Sequence, residues 1–397
     1  MSSRPRRSRG ATPEGFWIVW TTVALDLVGF GIVVPILGRY AERFGASGVQ
    51  VGFLVASFSA AQFVFSPLLG RLSDRIGRKP VLLLSLFGTA IGSFITGAAG
   101  VLWVLFLGRI IDGASGASVS VAQGAVTDLA PPEDRPRLLG LLGAAFGVGF
   151  VIGPAIGGLA SLGGPHVPFF VAGAVALVNG LIAIRRLPET HRPGTHEPAR
   201  SSHRSAGGSL TRIWVLAVAG FIAISAFSGF EATFSLFAGD RFGLTEGPVA
   251  LIFFAVGLLL VFVQVRLVGP VSQRLGPLGA LQVGLLFNAA GLALLAVTWG
   301  WLLLVVALTL LTIGQGVAIP NLTAAVADRA PTDRRGEALG FQQRWQAMGR
   351  IVGPILAGVL FEQVGVPAPY AVGAGLALVA TGVLVRAHNE LAIAPVP

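Results

Sequence analysis

Asp26, Arg109, Asp112, Glu231 and Arg350 stand inside long apolar runs of the chain. A charge at bilayer depth costs at least ~2.5–3.5 kcal/mol on insertion scales, so each needs a reason to be there. Asp26 has no basic residue within a helical turn. A carboxyl withdrawn from water can take up and release a proton near neutral pH. Its charged form attracts a cationic compound, and its oxygens can hydrogen-bond a neutral one. Proton and compound would then compete for one site, the simplest chemistry of exchange. The bland alternative is a polar group bonded quietly to a neighbouring helix. Glu231 also lacks a local partner and is the second candidate carrier. Arg344 or Arg350 could neutralise it across a cavity, or Arg350 could face an anionic group of a compound. Arg109 and Asp112 are three residues apart and share a helix face, which leaves an intrahelical ion pair and a gating role both open.

Other chemistries are excluded by composition. There is no cysteine, so disulfides, thiol nucleophiles and thiolate metal sites are ruled out. The five histidines all fall outside the apolar runs, which argues against a metal cluster. Lys79 is the only lysine and sits in no GxxxxGK[ST] loop, so no P-loop ATPase is expected. Energy must then come from a gradient, with no cofactor. No set of nucleophile, base and orienting group is apparent, and no enzyme is expected. The net charge of +10 is spread over short segments between apolar runs, which argues against a nucleic-acid partner.

The elements that must position these residues are membrane helices. Of 397 residues 54% are hydrophobic and 12% charged, with a mean hydropathy of +0.79. A soluble domain carries about 25% charged residues. Twelve runs are long enough to cross a bilayer and lack the period-2 alternation of barrel strands. They cover about 16–38, 49–69, 81–99, 101–127, 138–161, 167–186, 213–238, 246–268, 277–297, 300–327, 337–361 and 366–386. The first run follows Arg4, Arg6, Arg7 and Arg9, and is too long for the core of a signal peptide. With that end in the cytoplasm, 22 of the 28 Lys and Arg residues fall on the inside. Arg39, Arg43 and Arg241 alone fall outside, so both termini are expected in the cytoplasm. Trp103, Trp299 and Trp301 stand near the expected outer ends as interface anchors.

The chain then divides into a basic N-terminus (1–15), a six-helix bundle (16–186), a cytoplasmic linker (187–212), a second six-helix bundle (213–386) and a tail (387–397). The halves repeat one another. Gly70-Arg-Leu-Ser-Asp-Arg-Ile-Gly77 aligns with Gly269-Pro-Val-Ser-Gln-Arg-Leu-Gly276. Asp128, Ala130, Pro131, Arg135, Gly149, Gly153, Pro154 and Gly158 recur 200 residues later as Asp328, Ala330, Pro331, Arg335, Gly349, Gly353, Pro354 and Gly358. Duplicated halves of this kind suit alternating access around a ligand held near the midplane.

Gly70 to Lys79 resembles the loop 2–3 signature of the major facilitator superfamily. Gly149-Phe-Val-Ile-Gly153-Pro154-Ala-Ile-Gly157-Gly158 is similar to the fifth-span motif of its drug/proton antiporters. The first span, Leu25-Asp26 to Pro35, and the fourth-span Leu107-Gly108-Arg109 with Gly113 resemble the twelve-span drug antiporters, and the N-terminal half is nearest to tetracycline/proton antiporters. One departure lies in the third span, where Gly88-Thr89-Ala90-Ile91-Gly92 holds no acid. The resemblance implies an all-α fold of twelve spanning helices in two pseudo-symmetric bundles. It also implies that Asp74 latches onto the second half in one state, that Arg78 pairs with Asp128, and that Arg109 takes part in proton coupling.

From the residues themselves, Gly70 and Gly77 permit a tight turn at positive φ. Asp74 can accept N–H bonds at a helix N-terminus, and Arg71, Arg75, Arg78 and Lys79 can touch lipid phosphates. Gly149, Gly153 and Gly157 form a small-residue stripe for a closely packed neighbour, and Pro154 favours a bend. Gly353 and Pro354 repeat this, so packing and hinge roles are expected at both places. Phe30, Phe58, Phe227, Phe230 and Phe234 flank the acidic positions and could line an apolar pocket. The expectation is a monomeric, proton-driven exporter of small amphipathic or hydrophobic compounds in the inner membrane. The rivals are a proton symporter or uniporter for a metabolite, and a membrane receptor that moves nothing.

Overall fold

The computed structural model describes residues 12–131, 134–191, 207–330 and 335–386. Most of the basic N-terminus, the greater part of the linker, Pro331 of the repeat, and the tail lie outside them. No strand occurs among the described residues, which form thirteen α-helices. The first half holds α1 (Phe16–Glu42), α2 (Gly48–Ile76), α3 (Arg78–Gly97), α4 (Leu102–Ser115), α5 (Ser118–Leu129), α6 (Arg135–Ala160) and α7 (Val167–Arg186). The second holds α8 (Gly207–Phe242), α9 (Glu246–Arg266), α10 (Val268–Ala296), α11 (Trp301–Arg329), α12 (Arg335–Gln363) and α13 (Ala368–Arg386). Helices are the economical answer in hydrocarbon because each satisfies its own backbone groups. Helix α8 begins at Gly207, inside the segment assigned by sequence to the linker.

Eleven spans among the described residues are long and apolar enough to cross a membrane, with α4 and α5 together making one. The twelfth, α12, carries Gln342, Gln343, Arg344, Gln346 and Arg350 on its first half. It can afford them because it is sandwiched between α8 of its own half and α2 of the other. The expected continuous fourth span, 101–127, is a second departure. It breaks at Gly116–Ala117 into α4 and α5, where Gly113 and Gly116 weaken the helix.

The two halves meet at the end away from the chain termini. Helix α2 packs on α12 there, and α6 on α9. The approach is close: a Cβ on Gly52 would lie 3.1 Å from the Pro354 carbonyl carbon, and one on Gly257 2.9 Å from that of Phe150. Polar contacts close the same end. Arg43 pairs with Glu246 at 2.8 Å, and the Val49 N–H donates to the Glu362 carboxylate at 2.8 Å. Ser47 and Gln50 complete a capping box at the start of α2. At the terminal end the picture reverses. Gly70, Gly140, Gly269 and Gly340 have open space where a Cβ would go, and α5 and α11 do not pack on each other. The molecule is therefore a pair of bundles parted at the end that bears the termini.

Within each half, the repeated glycines bring two helices together. Gly149 and Gly153 of α6 face Leu27 and Gly31 of α1, while Gly349 and Gly353 of α12 face Phe221 and Ser225 of α8. A Cβ on Gly153 would sit 2.6 Å from the Gly31 Cα, against backbone that has no rotamer to yield. Gly153→Val is therefore expected to cost about 1–3 kcal/mol through overpacking. The check is thermal unfolding in detergent, with Gly140→Val, which meets open space, as the silent control.

Candidate functional site

The first cluster lies between α1, α2, α3 and the broken fourth span. Asp26 is ten residues into α1, about 15 Å along its axis. The Ser118 hydroxyl, at the first position of α5, donates to Asp26 Oδ2. Asp26 Oδ1 is buried without a hydrogen-bond partner. Asp112 is near enough to act on Asp26 electrostatically. Its own carboxylate pairs with Arg109 at 2.6 Å and is bonded by Thr89 of the third span. Both members of that pair are buried. The Arg109 guanidinium also lies over the Phe58 ring, 4.4 Å from its centre, a cation–π contact that helps hold the charge in place. Phe58 in turn packs on Phe30 at 5.5 Å. The ion pair is neutral as a unit, which leaves Asp26 as a carboxyl within the spans of this half that has no ion-pair partner among the described residues.

The second cluster is sparser. Glu231 on α8 keeps Oε1 buried and without a hydrogen-bond partner. Arg350 of α12 is the charge that acts on it, yet the two make no ion pair within 4.0 Å among the described residues. Arg344 and Arg350 are exposed. The two acids are not symmetry mates. Gly149 packs on Leu27 and Gly349 on Phe221, so Phe221 occupies the level of Leu27. Glu231 then lies about eleven residues, roughly 16 Å, further towards the closed end than Asp26.

The aromatic residues divide. Phe30 and Phe58 stand beside Asp26, as the sequence suggested. Phe230 and Phe234 are instead buried in a core with Phe237, Phe253 and Tyr370, with Phe227 packed against it. They help to fill the second bundle. Asn288–Gln315 at 3.2 Å and Ser272–Asn321 at 2.7 Å are interhelical hydrogen bonds of the kind expected for lone amides.

At the terminal end, Arg78 pairs with Asp128 at 2.9 Å and with Asp74 at 2.6 Å. Among the described residues Asp74 makes no ion pair with the second half and its side chain is 60% exposed, so the contact that the resemblance implies is not made in this conformation. Arg75 is exposed. Gly77 takes φ 105° as expected, whereas Gly70 is an ordinary helical residue within α2. The second copy behaves alike, with Gly276 at φ 68° kinking α10. The N-terminus of α3 is capped by Glu189 rather than Asp74. Its carboxylate accepts from the Arg78 and Lys79 N–H groups at 2.8 and 3.1 Å. Glu189 and Ser118 escaped the sequence reading. The only hint of Ser118 was its place two residues after Gly116, and Glu189 is brought back to α3 by the chain's turn after α7.

The stripe of Gly149, Gly153 and Gly157 faces α1, as a small-residue packing surface should, and Gly158 faces Gly247 and Ala250 of the other half. Helix α6 continues through Pro154, and α12 through Pro354.

The family model of the Major Facilitator Superfamily matches residues 19–300 and 216–392. The class C tetracycline resistance protein of Escherichia coli is 33% identical over 355 residues, 87% of this chain and 89% of that protein. Multidrug resistance protein 2 of Bacillus subtilis (strain 168) is 28% identical over 87% of this chain and 88% of its own length. Among solved structures, the human organic anion transporter MFSD10 superposes with a TM-score of 0.71 at 25% identity, covering 93% of this chain and 98% of that one.

The Arg78 network separates two roles by burial. Asp128 is 9% exposed, and Asp128→Ala leaves the Arg78 guanidinium with only the exposed Asp74 and the Ser73 hydroxyl, which is expected to cost about 2 kcal/mol, short of the penalty for a fully unpaired buried charge. Asp74→Ala removes an exposed partner and should cost less than about 1 kcal/mol. Thermal unfolding of the two variants in detergent gives the comparison, and equal losses would contradict the assignment.

Proposed function

The chain belongs to the major facilitator superfamily, and on that premise we propose that it is a proton-coupled antiporter exporting small amphipathic or hydrophobic compounds. Tetracycline and multidrug resistance proteins at 27–34% identity over most of their length support export as the direction and drug-like compounds as the class. The observation that carries the chemistry is Asp26: one oxygen bonded, the other buried and unpartnered, on a helix at the junction of the two halves. A carboxyl in that setting is a place where a proton and a cationic or hydrogen-bonding compound displace one another.

The conformational cycle follows from the two ends. By sequence, 22 of the 28 basic residues belong to the segments assigned to the side of the termini, which supports placing that side in the cytoplasm of an inner-membrane protein. The structure is then open inward and closed outward, with Arg43–Glu246 and Glu362 at the outer gate. Rocking the bundles would part those contacts and bring Asp74 to the second half. The protein works as a monomer, with the proton gradient as its energy source. Glu231, nearer the outer gate, serves as the second carrier, with Arg350 as its electrostatic partner. Arg109 and Asp112 act as a neutral strut behind Asp26.

Everted membrane vesicles test the reading. In vesicles with an acid interior, adding tetracycline or tetraphenylphosphonium should dissipate the pH gradient. Asp26→Asn and Glu231→Gln should each lower that exchange by about ten-fold or more, the scale of a lost charged hydrogen bond. Full gradient-driven exchange in both variants would remove these residues from the mechanism.

A further inference from the structure

The break in the fourth span is built, not frayed. Gly116 donates back to the Gly113 carbonyl at 3.0 Å and Ala117 to Ser115 at 2.7 Å, closing α4 in a tight turn. The Gly116 carbonyl, which a continuous helix would have used internally, accepts from Gln62 Nε2 at 2.8 Å. Three successive contacts of α2 follow the break. A Cβ on Gly113 would lie 2.9 Å from the Phe58 Cα, Gln62 bonds Gly116, and Ser66 lies 3.2 Å from the Ser120 hydroxyl. Phe58, Gln62 and Ser66 are one helical face at four-residue spacing. That face belongs to the helix that packs on α12 of the opposite half.

The consequence is where α5 starts. Ser118 is its first residue, 3% exposed, and its hydroxyl is spent on Asp26 Oδ2 rather than on its own helix. In an unbroken helix a serine hydroxyl commonly turns back to a carbonyl of the preceding turn, as Thr96, Thr312 and Thr381 do here. The break deprives Ser118 of that option by removing the regular preceding turn. One Asp26 oxygen is thus tied to the fourth span and the other stays unsatisfied.

We propose that Ser118, presented by the break between α4 and α5, is the positioning residue that holds Asp26 with one oxygen bonded and the other free for a proton or a substrate donor. The proposal rests on the exporter reading of Asp26. Ser118 touches neither proton nor substrate; it fixes the carboxyl that does. The charged groups around Asp26 are few. Asp112 of α4 acts on it, and Arg109 stands behind Asp112 as its ion-pair partner. Glu231 of α8 lies about 16 Å further along the bundle axis. The hydroxyl of Ser118 is the contact that distinguishes the two carboxyl oxygens.

Infrared difference spectroscopy of the purified protein reads Asp26 directly, whether or not the protein transports. The carboxyl C=O band that disappears in Asp26→Asn is followed against pH in wild type, Ser118→Ala, Ser118→Cys and Ser118→Thr. Deleting the donor in Ser118→Ala is expected to move that band in frequency and displace its midpoint by about one pH unit, a ten-fold change in proton occupancy. Ser118→Thr, which keeps the hydroxyl, should titrate as wild type. Ser118→Cys, near-isosteric with a weak donor, should fall between them and stands in if the alanine variant does not fold. An unmoved band and midpoint in the alanine or cysteine variant overturns the proposal. Moved midpoints with unchanged gradient-driven exchange would uphold Ser118 as the positioning residue and overturn Asp26 as the carrier.

Discussion

A carboxyl group in hydrocarbon must find a partner, a proton or water, and the architecture of this protein is arranged around that requirement. Backbone groups meet it by staying helical. Arg109 and Asp112 meet it by pairing within one helix and leaning on Phe58 and Thr89. Asp26 and Glu231 meet it only in part, each keeping one buried oxygen without a hydrogen bond. In each, the surrounding groups come from its own half, and one carboxyl oxygen keeps unused hydrogen-bonding capacity.

Close packing supplies the rigidity that lets such groups be held in place. In lipid there is no hydrophobic penalty for separating two apolar helices, so contact depends on surfaces that interlock. Gly149 and Gly153 against α1, and Gly349 and Gly353 against α8, make each half a firm unit. Between the halves the contacts run from the end away from the termini down α6 and α9 as far as Gly147 against Val261, and include one ion pair, Arg43–Glu246, and a capped helix start. A rigid body with a one-sided seam is suited to rocking. The signature at the other end is partly engaged, with Arg78 bonded inside its own half and Asp74 left exposed.

The two halves share a plan and differ in polarity. Gln273 replaces Asp74 in the second copy, and Glu231 has no counterpart at its level in α1. Helix α12 carries Gln342, Gln343, Arg344, Gln346 and Arg350 in its first half, while its equivalent α6 is apolar beyond Arg137. Duplication gave the symmetry that alternating access needs, and the charges break it. The two buried carboxyls, Asp26 and Glu231, thus stand at different depths, about 16 Å apart along the axis.

Span number, the six-plus-six division, the repeat and the intramembrane charges were legible in the sequence, because each depends on local composition or on spacing along one helix. Hydropathy does not depend on neighbours, and an i, i+3 pair such as Arg109–Asp112 is fixed by helix geometry alone. What needed the tertiary structure were the contacts between elements distant in the chain. Ser118 reaches Asp26 across 92 residues, Glu189 caps α3 across 111, and Arg43 meets Glu246 across 203. The break at Gly116 also belongs here, since its freed carbonyl is satisfied by Gln62 of another helix. Phe230 and Phe234 show the same limit from the other side. Their spacing suited a pocket or a core equally, and packing against Phe253 and Tyr370 decided for the core.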